Sequence, residues 1–183
     1  MTRRHLTFDC AGATLVGTLD MADGATGLLI VSGGNELRSG AWAGQAKLAA
    51  RIAEAGYPVF RFDRRGVGDS EGANGGFRSE GPDIDSAIAA FRAAAPRLER
   101  IVGLGNCDAA SALMLARGAG LDALLLANPW TTEDDKARDP PEVIWAHYRQ
   151  RLASKTALMR LLSGRVKFRA IAPAIAAALA PTR

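Results

Sequence analysis

The sequence predicts an α/β fold with a mainly parallel sheet, and two observations support this prediction. Continuous apolar runs of strand length recur along the first 130 residues, as expected for strands that are buried on both faces. Stretches with helical spacing of apolar residues separate these runs, and strands joined through helices form right-handed parallel crossovers. A chain of 183 residues with 48% hydrophobic composition can build one substantial domain.

The chain begins with a predicted antiparallel hairpin. Residues 4–9 and 14–20 alternate in polarity on either side of a short turn that contains glycine. Residues 27–32 then form a continuous apolar run that opens into Gly-Gly-Asn at positions 33–35. This pattern is typical of a buried parallel strand followed by a loop, and it marks the first central strand.

Helical and buried-strand patterns alternate from there to residue 128. Gly56 is a stop signal for the first helix, and Asp83 is expected to cap the second. A stretch rich in Gly, Asp and Ser between them predicts a loop. The predicted elements are helix 42–55, strand 58–63, loop 64–81, helix 83–94, strand 100–105, helix 109–117 and strand 121–128.

Composition and charge change after residue 130. Residues 142–162 and the segment after Gly164 each place apolar side chains at helical spacing. Positions 136–183 carry ten basic and two acidic residues, whereas positions 1–135 carry thirteen basic and seventeen acidic ones. We therefore divide the chain into a core, 1–130, and a helical lid or tail, 131–183. A basic amphipathic tail can bind an acidic protein or a membrane surface, although a solvated helix face is the commoner explanation.

Several classes of function are disfavoured by what the sequence lacks. It has no apolar run of membrane-spanning length and no signal-peptide pattern, so we expect a soluble, cytoplasmic protein. Two cysteines give no disulfide framework, and two distant histidines give no metal site. No complete nucleotide-binding motif is present, and the acidic core argues against nucleic acid. We expect no cofactor.

The first motif follows the predicted strand 58–63. It reads D-x-R-G-x-G-x-S and resembles a signature of the α/β-hydrolase superfamily. Its expected role is structural, since Asp and Arg side chains can fix a tight glycine-rich turn by bonding to its backbone. The motif residues are Asp63, Arg65, Gly66, Gly68 and Ser70.

The second motif, Gly-Asn-Cys-Asp-Ala at positions 105–109, lies between a buried strand and a helix. It resembles the nucleophile elbow G-x-S-x-G, with Cys107 in place of serine. A helix N-terminus favours a thiolate, so Cys107 is the candidate nucleophile, against the alternative of a buried structural cysteine. The resemblance implies an oxyanion hole made by the N–H of Asp108 and a donor near Gly34 and Asn35.

A narrower resemblance covers essentially the whole chain. The stretch from Gly33 to Gly40, the elbow through Ser111, the Asn-Pro-Trp at positions 128–130 and the segment from His147 to Arg165 resemble exosortase A system-associated hydrolases, type 1. This resemblance implies an α/β hydrolase encoded beside bacterial PEP-CTERM sorting and exopolysaccharide genes. It names a context and no substrate.

The expected catalytic set is incomplete. Enzymes of this fold carry nucleophile, acid and histidine in that chain order, the last two after later strands. This chain has only His5, which precedes the site, and His147, which lies in a predicted lid helix and is a weak candidate for the base. We expect the terminal strands to be absent, which leaves a sheet edge that a second copy of the chain can cover.

Two functions therefore remain open. One is a hydrolase or acyl-transferase that attacks a small ester or thioester through Cys107. The other is a non-catalytic relative that keeps the fold for binding or scaffolding and uses its basic C-terminal helices.

Overall fold

The computed structural model describes residues 2–118 and 120–130, which form a six-stranded mixed sheet with helices on both faces. The strand order across the sheet is β1-β2-β4-β3-β5-β6. The strands are β1 (Thr2–Cys10), β2 (Ala13–Met21), β3 (Thr26–Val31), β4 (Val59–Phe62), β5 (Arg100–Asn106) and β6 (Ala123–Ala127), and the helices are α1 (Gly44–Glu54), α2 (Gly81–Ala94) and α3 (Asp108–Leu115).

The predicted fold class is confirmed by the strand pairing. Strands β1 and β2 form the antiparallel hairpin, and β2 also pairs antiparallel with β4. Strands β4, β3, β5 and β6 are parallel, with Leu28 opposite Val59 and Val31 opposite Gly105 in the register. The parallel strands therefore end at one edge of the sheet, and their following loops meet there.

The hydrophobic core has two parts because side chains alternate between the faces of each strand. On one face, Phe60 and Phe62 of β4 pack with Phe91 of α2, and the rings of Phe60 and Phe91 are 5.6 Å apart. Helix α3 contributes to this larger cluster. On the other face, Ala49 of α1 packs on Ile30 and its neighbours.

Two helix starts differ from the predictions. Helix α1 begins at Gly44 because Trp42 and Ala43 have left-handed backbone angles, each with φ of 56°. Helix α2 begins at Gly81, so the prediction that Asp83 caps it is wrong. The Asp83 carboxylate instead accepts hydrogen bonds from the Arg65 backbone N–H and side chain, which fixes the preceding loop to the helix.

Strand β6 differs from its prediction in burial. Its apolar sequence predicts a strand buried on both faces, but Leu125 is 54% exposed and most of its neighbours in the strand are exposed too. Among the described residues β6 pairs with β5 alone. Because β6 is paired on one side only within residues 2–118 and 120–130, its side chains lack neighbours that a central strand has, which the local sequence pattern does not reveal.

The predictions for the tail, 131–183, including His147 and the two lid-like helices, lie outside the described residues. In the part of the chain that the structure describes, no helix is both long and apolar enough to cross a membrane.

Candidate active site

The candidate site lies at the carboxyl edge of the parallel strands. Strand β3 leads into the loop with Gly33 and Gly34, β4 leads into Asp63, and β5 leads into Cys107. In open α/β sheets this edge is where ligands bind. The structure therefore places the loop, the D-x-R-G-x-G-x-S turn and the elbow at one end of the sheet.

Cys107 occupies a strained turn between β5 and α3. Its backbone angles are φ 60° and ψ −128°, a region that residues with a side chain rarely adopt. Surrounding contacts hold this conformation: the Cys107 N–H donates to the Ala127 carbonyl at 3.0 Å, and its carbonyl accepts from the Trp130 N–H at 3.3 Å. The Cys107 side chain is exposed, so the turn presents a thiol to solvent.

Gly105 lets α3 approach β5 closely. A Cβ at this position would lie 2.8 Å from the backbone of both Ala109 and Ala110, closer than real Cβ atoms come to other heavy atoms. Both alanines are fully buried. The small residues that flank the elbow are therefore needed for the packing of strand against helix.

The segment after β6 also supports the elbow. Ser111 donates its hydroxyl to the Trp130 carbonyl at 2.7 Å, while the Trp130 N–H bonds to Cys107. Both contacts use the Trp130 backbone, so they depend on the path of the chain after β6 and not on the Trp130 side chain. Ser111 and Trp130 fix the start of α3 from the side of the last described strand.

The carboxylate of Asp108 accepts a hydrogen bond from the Gly34 N–H, the group expected to serve as an oxyanion donor. The Gly34 N–H donates to Asp108 Oδ1 at 2.6 Å, and Gly34 has a left-handed φ of 56°. A Cβ at Gly33 would collide with the same Oδ1 atom, so glycine is required for this approach. The Gly34 N–H, the donor predicted from the loop after β3, thus lies at the site but is already bound by a carboxylate.

Helix α3 offers further donors beside the thiol. The N–H groups of Ala110 and Ser111 bond to the Cys107 carbonyl at 3.1 and 3.4 Å. The N–H groups of Asp108 and Ala109 precede them at the start of the helix, where no intrahelical acceptor exists. With the helix dipole, they favour negative charge next to Cys107.

Asn35, the second residue of this loop considered as an oxyanion donor, has its side chain bonded to Asn74 and not to Asp108. Its side-chain oxygen accepts from the Asn74 amide at 2.9 Å. This bond joins the loop after β3 to the loop after β4. Asn35 therefore ties two loops together in this structure, and the candidate donor at this position remains a prediction.

The D-x-R-G-x-G-x-S motif braces the turn after β4. Asp63 is fully buried and accepts from the backbone N–H groups of Arg38, at 2.6 Å, and Asp69, at 3.2 Å. The Ser70 hydroxyl donates to the Asp63 carbonyl at 2.6 Å. Gly66 and Gly68 have φ of 69° and 58°, so glycine suits both positions.

Arg65 of the same motif pairs with Asp83, and Cys10 shares this partner. The Arg65 Nε lies 2.5 Å from Asp83 Oδ1, and the Cys10 thiol donates to that oxygen at 3.3 Å. Burial raises the pKa of Cys10 above the ordinary thiol value of 9.0, with the Asp83 charge acting in the same direction. Cys10 is thus a buried, protonated structural cysteine.

A buried ion pair that the sequence analysis missed lies close to the elbow. Arg64 and Glu80 pair with each other, and each side chain is 3% exposed. Burial lowers the pKa of Arg64, while the negative charges of Asp108 and Asp83 oppose that shift. The charge of Arg64 is therefore coupled to the carboxylate that binds Gly34.

The described part of the chain places no histidine beside Cys107. His5 lies in β1, where its Nδ1 is 3.0 Å from the Thr18 hydroxyl. Strand β1 is four strand positions from β5, roughly 19 Å at ordinary strand spacing. In residues 2–118 and 120–130, no cluster of three His, Cys, Asp or Glu side chains could hold a metal ion.

Comparisons with known proteins identify the fold. No protein-family model and no curated protein matches the sequence. Among solved structures, the chain is similar to the α/β hydrolase GrgF from Penicillium sp. sh18, with a TM-score of 0.63 and 21% identity over 85% of this chain and 55% of that one. It is also similar to the Pyrococcus furiosus esterase Pf2001, with a TM-score of 0.59 and 19% identity over 70% of this chain and 51% of that one.

A third similar structure is XC6422 from Xanthomonas campestris, described as an α/β serine hydrolase without a lid. Its TM-score is 0.57 and its identity 21%, over 76% of this chain and 67% of that one. The chain spans about half the length of GrgF and of the Pyrococcus esterase. The similarity to these three structures shows that the described residues have the α/β-hydrolase fold.

Proposed function

We propose that this protein is a hydrolase or acyl-transferase that attacks a small ester or thioester through Cys107. The observation that carries the proposal is the backbone of Cys107, with φ of 60° and ψ of −128° at the β5–α3 junction and an exposed side chain. A strained turn of this kind is the device that presents a nucleophile in α/β hydrolases.

The proposed chemistry follows covalent catalysis. The Cys107 sulfur forms a bond to the carbonyl carbon, and the carbonyl oxygen takes up the negative charge. The bond to the alcohol or thiol then breaks, and that group leaves with the proton that the Cys107 thiol has given up. Water, or an acceptor alcohol or thiol, attacks the resulting acyl-cysteine and releases the acyl product and the free thiol.

The oxyanion position is the part of the site that must change during this reaction. The N–H groups of Asp108 and Ala109 at the start of α3 supply one side of the hole. Gly34 supplies the other only after its N–H has released Asp108 Oδ1. We propose that the charged carbonyl oxygen of the substrate replaces that carboxylate oxygen as the acceptor.

The base for deacylation is proposed to be His147, the histidine that follows the elbow in chain order. A cysteine thiolate needs less assistance than a serine in the first step, so His147 matters more for activating water. The resemblance to exosortase A system-associated hydrolases supports the further proposal that this reaction serves PEP-CTERM sorting or exopolysaccharide synthesis.

The test compares hydrolysis of p-nitrophenyl acetate and of an acetyl thioester by the full chain and two cysteine variants. We expect Cys107→Ala to lose turnover of both substrates, whereas Cys10→Ser retains it, since Cys10 is buried. Equal activity in Cys107→Ala and the unaltered chain would exclude the proposed nucleophile. Circular dichroism of both variants controls for folding.

A second candidate function is a non-catalytic binding protein, and one observation favours it. The Gly34 N–H is bound by Asp108, so half of the expected oxyanion hole is closed in this structure. This candidate predicts salt-sensitive binding of an acidic protein or an anionic membrane surface through residues 142–183. Such binding would be lost on deleting those residues and would be unaffected by Cys107→Ser.

A further inference from the structure

A polar cavity lies away from Cys107, on the side of the sheet that carries α1. Its volume is about 420 Å³, and it opens between strands β1, β2 and β4 and the loops that follow β3 and β4. Nothing in the proposed reaction uses it. Its polar lining includes Arg3, His5, Thr18, Arg38, Arg61 and Asp69.

Three guanidinium groups converge on this cavity and are held by two fully buried carboxylates. Asp20 accepts from Arg3 Nε at 2.6 Å and from Arg61 Nη2 at 3.0 Å. Asp63 pairs with Arg38. Three positive charges face two buried negative ones, so without Asp69 the cluster carries one positive charge in excess.

The excess charge is met by Asp69, which is 70% exposed on its side chain. Asp69 Oδ2 lies 2.9 Å from Arg38 Nη2. Asp69 is the exposed end of this pair, whereas the Arg38 side chain is 18% exposed, so water and salt screen the Asp69 carboxylate. A carboxylate brought by a ligand can therefore take the place of Asp69 at low energetic cost.

Arg61, inside the cluster, still has one N–H group that can donate a hydrogen bond. Its side chain is 2% exposed, and burial lowers its pKa. Its Nε finds no acceptor among the described residues, although its two terminal nitrogens bond to the Arg38 carbonyl and to Asp20. A buried guanidinium N–H without an acceptor is costly, and an added negative charge nearby relieves part of that cost.

We propose that this cavity binds the carboxylate of a small organic acid. The ligand carboxylate replaces that of Asp69 on Arg38 Nη2 and lies in the field of Arg3 and Arg61. The apolar side chains of Leu37 and Ala46 in the same wall accept a short alkyl chain. This binding needs neither Cys107 nor turnover.

Calorimetric titration of the full chain with hexanoate at low ionic strength tests the proposal. Hexanamide is the neutral isostere, and inorganic phosphate tests whether any anion suffices. We expect hexanoate to bind at least about tenfold more tightly than hexanamide and than phosphate. Equal binding of hexanoate and hexanamide, tighter binding of phosphate, or no binding of hexanoate up to about 10 mM would overturn the proposal.

Charge variants locate the site. Asp69→Asn removes the competing carboxylate and is expected to tighten hexanoate binding by about tenfold. Asp23→Asn is the matched control, because Asp23 pairs with Arg97 elsewhere, is 93% exposed and loses the same charge. We expect it to leave binding unchanged.

Arg3→Gln removes one guanidinium from the partly exposed rim, and a roughly fivefold weaker affinity is expected. Equal effects of Asp69→Asn and Asp23→Asn would show that net charge alone matters and would overturn the assignment of the cavity. Thermal unfolding of each variant shows whether the cluster still folds.

Discussion

The buried Arg64–Glu80 pair gives the sharpest prediction for stability. Glu80→Gln removes the carboxylate and leaves the Arg64 guanidinium in a site where it is 3% exposed. Breaking a buried pair in this way costs about 3–5 kcal/mol. The charges of Asp108 and Asp83 act on Arg64 in the compensating direction, so we expect the lower part of that range, about 3 kcal/mol.

Urea unfolding followed by circular dichroism measures this loss, and the midpoint in a thermal scan should fall by about 10 °C. Asp23→Asn breaks the exposed pair with Arg97 and serves as the matched control, with no change expected beyond the scatter of the measurement. The double variant Arg64→Met, Glu80→Leu should recover most of the lost stability, because no uncompensated charge remains.

If Glu80→Gln unfolds at the same urea concentration as the unaltered chain, Arg64 does not depend on Glu80 for its compensation. If the double variant is as unstable as Glu80→Gln, packing and not charge accounts for the loss.

Three further predictions concern the elbow and its surroundings. Gly105→Ala places a Cβ against the backbone of α3 and should cost about 1–3 kcal/mol in urea unfolding; an unchanged midpoint would show that the helix can move away. Asp108→Ala frees the Gly34 N–H and should raise kcat/KM for p-nitrophenyl acetate about tenfold, and a fall would show that the carboxylate assists the reaction. Because burial raises the pKa of Cys10, the folded state keeps a proton that the unfolded chain loses, so the free energy of unfolding should decline as pH rises through 9.0. Cys10→Ser should flatten that decline. An identical pH dependence in Cys10→Ser and in the unaltered chain would show that Cys10 does not cause it.

Much of the fold could be predicted from local sequence patterns. The hairpin, the apolar runs of β3 to β6 and the three helices each have a periodicity that a short window contains. Their order predicts the parallel sheet, because connections through helices leave few other topologies. The burial of β6 could not be predicted in this way, since it depends on which strand, if any, lies beside it.

The elbow was predictable in position, but the partners of its side chains were not. Gly105, Cys107 and Ala109 form a contiguous motif, whereas the bond from Gly34 to Asp108 joins residues 74 positions apart. The buried charges had a weak signal: Arg61 interrupts an apolar strand, and a charge in such a position demands a partner. Sequence spacing does not identify that partner as Asp20.

Intact-protein mass spectrometry after brief mixing with p-nitrophenyl acetate shows whether Cys107 becomes acylated. We predict a mass increase of one acetyl group on the chain, located at Cys107 by peptide mapping and lost within the time of hydrolysis. Cys10→Ser should show the same adduct, and Cys107→Ser tests whether an oxygen nucleophile at the same turn is also acylated. An unmodified Cys107 would contradict a nucleophile at the elbow. So would acetylation confined to lysines and equally fast in the unaltered chain and in Cys107→Ala.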